Sequence, residues 1–396
     1  MYYKPQPDEE IKYFDIVSLY PFVLRNKFPT GHPEVHFIDF YLFTLRYFQV
    51  IRRFQHKVWD SVDHPEYKKY RGIFKVLLLP PQDQYFPVAP MKDDERLLFQ
   101  LCRTCSVASR KASPYREPGC THTDMQRAYV VTLTHVELDL ALQHGYKVLD
   151  PIEAWHWPKD KWCDNIFKDY INDFLVMKVE ASGWPEYIEK IEDPDEKERA
   201  KDAFVEAYRQ REGIVIDKAN VKENKPRRYF AKLMLNSLWG RLAMRNNKTQ
   251  TELISNSTRL YELLYDVSKE VQTVQPLGNG ILRVGWRYKD RMDPEDENSN
   301  VVIAMFTTAY GRAELFKHMW NADERGGGPP GSRGLYTDTD SVVTVRKKGT
   351  EPLKSGEFLG EMKDEHPKEE ILEFVCGGNK QYGMKLRNLK TGKYSL

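Results

Sequence analysis

Two aspartates two residues apart, in Tyr336-Thr337-Asp338-Thr339-Asp340-Ser341, are the densest chemistry in this sequence. Leu335 and Tyr336 precede them and Val342, Val343 and Val345 follow, so both flanks have strand propensity and Asp-Thr-Asp falls where a tight turn belongs. Residues i and i+2 can point the same way. Two ionised carboxylates held that close repel unless a cation lies between them, and a hard divalent ion such as Mg²⁺ meets that need. A solvated turn is the plain alternative, so the reading depends on partners elsewhere in the chain.

Three other stretches offer such partners. The run Ile11–Val17 alternates loosely and carries Asp15 out of a strand end before turning at Pro21. By itself Asp15 reads more simply as a turn or cap residue. The stretch 227–241, with Pro226 as a first-turn residue, reads as a helix. Arg228, Lys232 and Asn236 stand four apart on it, with Trp239 and Gly240 continuing the row, so one face offers two cations, an amide, an aromatic ring and a gap. That face suits a triphosphate. Further on, the strand-turn-strand pattern around residues 374–382 presents Lys380 and Tyr382. Phosphoryl transfer uses two hard ions about 3.5 to 4 Å apart, held by carboxylates. Asp15, Asp338 and Asp340 supply the carboxylates, Arg228 and Lys232 the cations for an incoming triphosphate, and Lys380 a contact for a polyanionic primer.

A second ligand set is of another kind. Cys102-Arg103-Thr104-Cys105 is followed by Cys120-Thr121-His122, and three thiols with one imidazole suit tetrahedral zinc. The first pair has the usual knuckle spacing and the second is tighter than most. Free cysteines are the alternative. A closed four-ligand site would staple the segment and take no part in chemistry.

The 396 residues, 41% hydrophobic, can bury a substantial core in two or three packed parts. The formal net charge of +2 leaves any attraction to nucleic acid to local patches. No basic segment leads into an apolar stretch at the N-terminus, and no apolar run is long enough to span a membrane. Five cysteines, an odd number, speak against a disulfide framework and for a reducing intracellular setting, nucleus or cytoplasm. Between the motifs, the interleaved Lys68-Lys69-Tyr70-Arg71 is either a phosphate-tracking patch or a solvated surface with exposed tyrosines. Ile166, Tyr170, Phe174 and Met177 have helical period, and Gly183-Trp184-Pro185 ends that helix. The charged run 192–199 reads as a linker or helix start, 249–288 as short strands, 292–298 as an exposed acidic loop, and 301–320 as an apolar core helix followed by a loose Gly/Pro-rich connector.

The ordered set Asp15-x-x-Ser18-Leu19-Tyr20-Pro21, Lys232-x₃-Asn236-Ser237-Leu238-Trp239-Gly240, Tyr336-Thr337-Asp338-Thr339-Asp340-Ser341 and Lys380-Gln381-Tyr382 resembles the polymerase motifs of family B DNA polymerases. The long segment between the first two, with Ala181-Ser182-Gly183-Trp184-Pro185 and the Cys/His cluster, is similar to the protein-primed branch found in Maverick/Polinton transposons and related viruses. The resemblance implies an α+β right-hand fold, with an antiparallel palm sheet, helical fingers and a protein-primed-type insertion. It implies that Asp15 and Asp340 bridge two Mg²⁺ ions with Asp338 as a weaker ligand, and that Tyr20 lies under the deoxyribose and selects against a 2′-hydroxyl. Lys232 and Arg228 would hold the triphosphate, Asn236, Trp239 and Gly240 would line the nascent base-pair pocket, and Lys380 and Tyr382 would meet the primer end. Trp239 stands where the family usually has Tyr, and Asn379 replaces a usual proline.

The implied function is DNA-directed DNA synthesis, with template, primer and dNTPs as partners and a terminal protein as an alternative hydroxyl donor. The implied layout is palm at 1–30 and 301–396, an insertion at 31–164 with the candidate zinc ligands, fingers at 165–248 and a second small insertion at 249–300. On that layout the chain leaves no room for a proofreading exonuclease and little for a thumb, which raises the rival expectation of an inactive, transposon-derived DNA-binding fragment. A reverse transcriptase would place its aspartates side by side, and Thr339 separates them.

Overall fold

The valine-rich run after the acidic pair becomes a central strand. Ser341–Lys347 is buried at six of its seven positions, as a β-branched strand with both faces covered should be. In the computed structural model it pairs antiparallel with Arg333–Asp338 on one side and Glu9–Ile16 on the other. The sheet continues through Glu369–Gly378 and Gln381–Asn388. Alternation along the strands sorts the core into two layers. Val342, Phe14 and Ile16 face Leu19, Val23 and Met362, whereas Val343, Val345 and Ile11 face Ile371 and Phe374. Each such side chain contributes about 1.5–3 kcal/mol by leaving water, so slipping the register by one residue would turn both layers inside out.

The structure describes residues 1–37, 58–93, 96–109, 120–245, 247–290, 292, 298–350, 353 and 355–396. The greater part of the acidic run 293–298 lies outside them. Two compact units are present, Met1–Asn236 with Met305–Leu396, and Ser237–Ala304.

Within the first unit a four-stranded antiparallel sheet, in the order Glu34–Phe37, Lys147–His156, Gly72–Leu79, Tyr129–Thr134, packs against the helix His135–Gln143. Tyr67 and Tyr70 belong to this core, and the Tyr67 hydroxyl donates to Asp139 at 2.5 Å. The basic-aromatic patch expected here is therefore divided, with its tyrosines inside and Lys68 and Lys69 outside. The helix Lys168–Glu180 buries Ile171, Leu175 and Val179. The expected row is the neighbouring one: Tyr170 donates to the Met234 carbonyl at 2.8 Å and Phe174 meets Phe230. Two adjacent apolar stripes share this helix because it packs on two sides. The charged run is the start of the helix Pro194–Glu212, capped by Asp193.

The second unit is a three-stranded sheet of Gln250–Ile254, Ile281–Tyr288 and Lys269–Gly278 with the helix Ser257–Tyr265, closed around Ile254, Leu263, Val284 and Trp286. The helix was not expected among the strands. Asn256 caps it through the Thr258 N–H, and helical spacing brings Leu260 and Leu263 to the core.

The connector before the acidic hairpin is not loose. Asp323, fully buried, accepts from Arg325 Nε at 2.7 Å and from the backbone N–H groups of Arg325 and Gly334 at 2.9 Å each. A Cβ on Gly326 would lie 2.4 Å from the Trp320 carbonyl oxygen, so a close backbone approach accounts for glycine there. Asp323→Ala orphans these donors and should cost about 2–4 kcal/mol. Urea unfolding measures this, and a loss under 0.5 kcal/mol, roughly the scale of a neutral surface change, would contradict it.

Candidate active site

The two-residue turn between Asp338 and Ser341 holds Thr339 at φ 47°, a left-handed backbone that costs energy for a β-branched residue. Three hydrogen bonds hold it. The Asp340 N–H donates to the Asp338 carbonyl at 2.5 Å and the Ser341 hydroxyl to the same carbonyl at 3.1 Å. The third fastens the hairpin to the neighbouring strand, from the Ile16 N–H to the Asp340 carbonyl at 2.7 Å. Because Ser341 lies opposite Asp15 in the register, the Asp15 carboxyl comes beside Asp340.

The electrostatics follow from that placement. Burial first, then the Asp340 and Glu365 charges, push the Asp15 carboxyl up to about 7, against the pull of Lys232. Asp340 is raised by burial and by Asp338, while its own backbone N–H, Lys380 and Lys232 oppose the shift. Carboxylates raised by burial and by acidic neighbours are short of a cation, the condition a hard divalent ion relieves. Glu365 carries no sequence signal. It enters because the strand Met362–Asp364 pairs with the Asp15 strand and the Glu365 N–H donates to the Tyr13 carbonyl at 2.9 Å.

Cations gather on the helical side. Arg228 Nε donates to Ser182 Oγ at 3.1 Å, and Lys232 and Asn236 are exposed on the same helix, Lys225–Leu242, whose Ala231 and Leu235 are buried. Trp239 and Gly240 continue this helix within the second unit. Sequence reasoning missed Lys178. Its Nζ donates to Ser18 Oγ at 2.8 Å, and burial, followed by Arg228, Lys232 and Lys363, pulls its amine down to about 8, with Glu212 opposing. No local signal marks it, because its partner Ser18 lies 160 residues away in the chain. Ser18 receives that bond with φ 51°, so the backbone after Asp15 is strained where it meets the cations.

Tyr20 is half-buried, and its phenol is raised by burial and by Asp340, against Arg312 and Lys380. Gly311 packs on its ring, since a Cβ there would stand 3.9 Å from Tyr20 Cε1. Lys380 forms the tip of the hairpin Glu369–Gly378/Gln381–Asn388 at φ 59°. Its N–H donates to the Tyr336 hydroxyl at 2.9 Å and its Nζ donates to both Asp338 oxygens at 2.8 Å. The tip is thereby pinned to the acidic hairpin, with Asn379 in place of the usual proline. Tyr382 meets the Tyr336 ring at a tilt, 5.1 Å between centroids, and its hydroxyl lies 3.0 Å from that of Tyr13. Asp15, Asp338, Asp340, Tyr20, Lys232, Lys380 and Tyr382 thus share one neighbourhood. Cys102, Cys105, Cys120 and His122 form a separate group that could hold a metal ion.

The sequence matches the family model of DNA polymerase type B, organellar and viral, over residues 2–191 and 201–324. The chain belongs to this polymerase family. Among solved structures, the fold of this family B chain is similar to phi29 DNA polymerase in an orthorhombic crystal form, with TM-score 0.51, 16% identity, and coverage of 99% of this chain and 48% of that one. It is likewise similar to phi29 DNA polymerase complexed with primer-template DNA and incoming nucleotide substrates, with TM-score 0.52, 16% identity, and coverage of 100% and 50%. The chain spans about half the length of these polymerases. No curated protein matches it. Among the described residues no helix is long and apolar enough to cross a membrane.

A folded-state carboxyl pKa raised above its unfolded value destabilises the fold as pH rises through the interval between them, here from about 4 to about 7 for Asp15. In EDTA at pH 8, Asp15→Asn should therefore be more stable than the parent by on the order of 1–2 kcal/mol, discounted for partial solvent screening. Below pH 4 the two should converge. Thermal melts at both pH values check this, and a destabilised Asp15→Asn at pH 8 would contradict it.

Proposed function

We propose that this chain carries the nucleotidyl-transfer centre of a DNA-directed DNA polymerase, joining a dNTP to a primer 3′-hydroxyl. The supporting observation is the meeting of Asp15 and Asp340, each raised first by burial and then by a neighbouring carboxylate, with Lys232 acting on both. Asp15, Asp340 and Asp338 would hold two Mg²⁺ ions, since clustered carboxylate oxygens are the donors such hard ions take. When bound, these ions lower the pKa of the attacking hydroxyl and stabilise charge on the leaving oxygens.

The chain's own groups do the rest. Burial and the charges of Arg228 and Lys232 disfavour the Lys178 ammonium in the free protein, so a triphosphate relieves it, and the three cations fix the triphosphate's orientation as the α-phosphorus exchanges its bond to pyrophosphate for one to the incoming oxygen. Tyr20 sits under the sugar, where its ring leaves no room for a 2′-hydroxyl. Asn236 lines the pocket of the new base pair. Lys380, bridging from Asp338, meets the primer phosphate, and Tyr382 the terminal sugar. We assign 1–30 and 301–396 to palm, 165–248 to fingers, and 31–164 and 249–300 to insertions. The long first insertion and the order of motifs favour the protein-primed, Maverick/Polinton-like branch, in which a terminal-protein hydroxyl replaces the primer hydroxyl at the same carboxylates.

Primer extension with Mg²⁺ and four dNTPs tests the reading. Asp340→Ala should lose activity by about 10²–10³-fold or more, and Lys178→Ala should raise KM for dNTP by about tenfold, the scale of one charge-assisted contact. Equal incorporation by parent and Asp340→Ala would overturn the mechanism. Salt-sensitive DNA binding without any nucleotide addition by the parent would establish the inactive DNA-binding fragment instead.

A further inference from the structure

The Cys/His group was expected only as a spacing, and its geometry carries more. His122 Nδ1 lies 3.5 Å from Cys102 Sγ, 3.3 Å from Cys105 Sγ and 3.5 Å from Cys120 Sγ. All four candidate ligand atoms lie within 4.8 Å of one another. A neutral imidazole nitrogen offers one lone pair or one N–H, so hydrogen bonding can satisfy one of these sulfurs and leaves two crowding the same atom for nothing. A tetrahedral zinc ion accounts for all three. With Zn–S of about 2.3 Å and Zn–N of about 2.0–2.1 Å, adjacent S and N ligands stand about 3.5 Å apart. The Cys105 N–H also points at Cys102 Sγ, at 3.4 Å, a donor that favours thiolate over thiol.

The segment needs such a tie. Among its described side chains from Arg96 to Arg127, Cys102 and Arg127 alone are buried, and Leu97 and Phe99 are exposed. That little burial cannot offset the ordering of the segment. Two contacts show what the tie holds. Thr104 Oγ1 donates to the Gln126 carbonyl at 2.7 Å, joining the helix Arg103–Ser109 to Asp124–Arg127. Arg127 donates to the Pro80 carbonyl at 2.6 Å and the Leu101 carbonyl at 3.5 Å, anchoring both helices at the end of the strand Gly72–Leu79.

We propose that Cys102, Cys105, Cys120 and His122 bind one zinc ion, which clasps these two helices together and docks them through Arg127 on the four-stranded sheet. Three thiolates and an imidazole complete the tetrahedron, so the ion has no open position and takes no part in nucleotidyl transfer. The proposal is independent of the polymerase reading.

The test uses the full chain, purified without chelator. Elemental analysis should give one zinc per chain, lost in Cys105→Ser and His122→Ala, each of which removes one of the four ligands, and unchanged in Cys163→Ser and Cys376→Ser. Should a ligand variant fail to fold, Co²⁺ exchanged into the parent decides: the proposal predicts the intense visible bands of a tetrahedral thiolate site. Chelation should also speed proteolytic cutting within 96–127 ahead of the rest of the chain. A parent chain with free thiols and neither zinc nor a tetrahedral Co²⁺ spectrum overturns the proposal, as does a disulfide between any two of the three cysteines under native conditions.

Discussion

The alignment of Ser341 with Asp15 across two antiparallel strands is the constraint on which the rest of the structure depends. It is a backbone register, enforced by apolar layers on both faces of the sheet and closed by the hydrogen bond from Ile16 to the Asp340 carbonyl. Residues more than three hundred positions apart are thereby set side by side, with no tolerance for a slip of even one residue. The strained Thr339 and Ser18 backbones flank this alignment, one on the hairpin and one just after Asp15. Strain of that kind persists only where the surroundings over-determine it.

The free chain holds charge in an unsatisfied arrangement. Asp15 and Asp340 are raised by burial and by their acidic neighbours, and Lys178 is depressed by burial and by Arg228 and Lys232. Neither set neutralises the other, although Lys232 acts on both carboxylates. The Asp338–Lys380 pair does close directly, and that pair joins two hairpin tips. A divalent ion with a polyphosphate would satisfy both groups at once, since the ion meets the carboxylates and the phosphates meet the cations. The fold pays for this readiness through its apolar layers, as expected of a site organised for charge that arrives with its ligand.

Much of this was legible in the residues. The acidic hairpin, the Asp15 strand, the Lys232 helix and the Lys380 turn each have local signals: β-branched flanks, a following proline, a four-residue charge spacing and a two-residue turn. Lys178 and Glu365 were not legible, because their roles arise from packing between distant segments and their own neighbours in sequence are unremarkable for a helix and a strand end. The helical period of Tyr170, Phe174 and Met177 was legible, but the buried stripe of Ile171, Leu175 and Val179 on the same helix was not singled out, since the helix packs on two sides and both rows are apolar. The connector before Tyr336 was taken as loose from its glycines, whereas buried Asp323 and the approach to Trp320 require them. The Ser257–Tyr265 helix was hidden in a stretch of strand-like composition.

The family match places the chain among the type B DNA polymerases and the likeness of fold shows the architecture, while the central claim concerns ions between two named side chains. Anomalous scattering from crystals grown with Mn²⁺ and a non-hydrolysable dNTP analogue tests it most directly. The account predicts two peaks, both within ligand distance of Asp15 and Asp340, with the analogue's phosphates on Lys178, Arg228 and Lys232. A bound analogue whose metal contacts only Asp338, with no peak at Asp15, would contradict it.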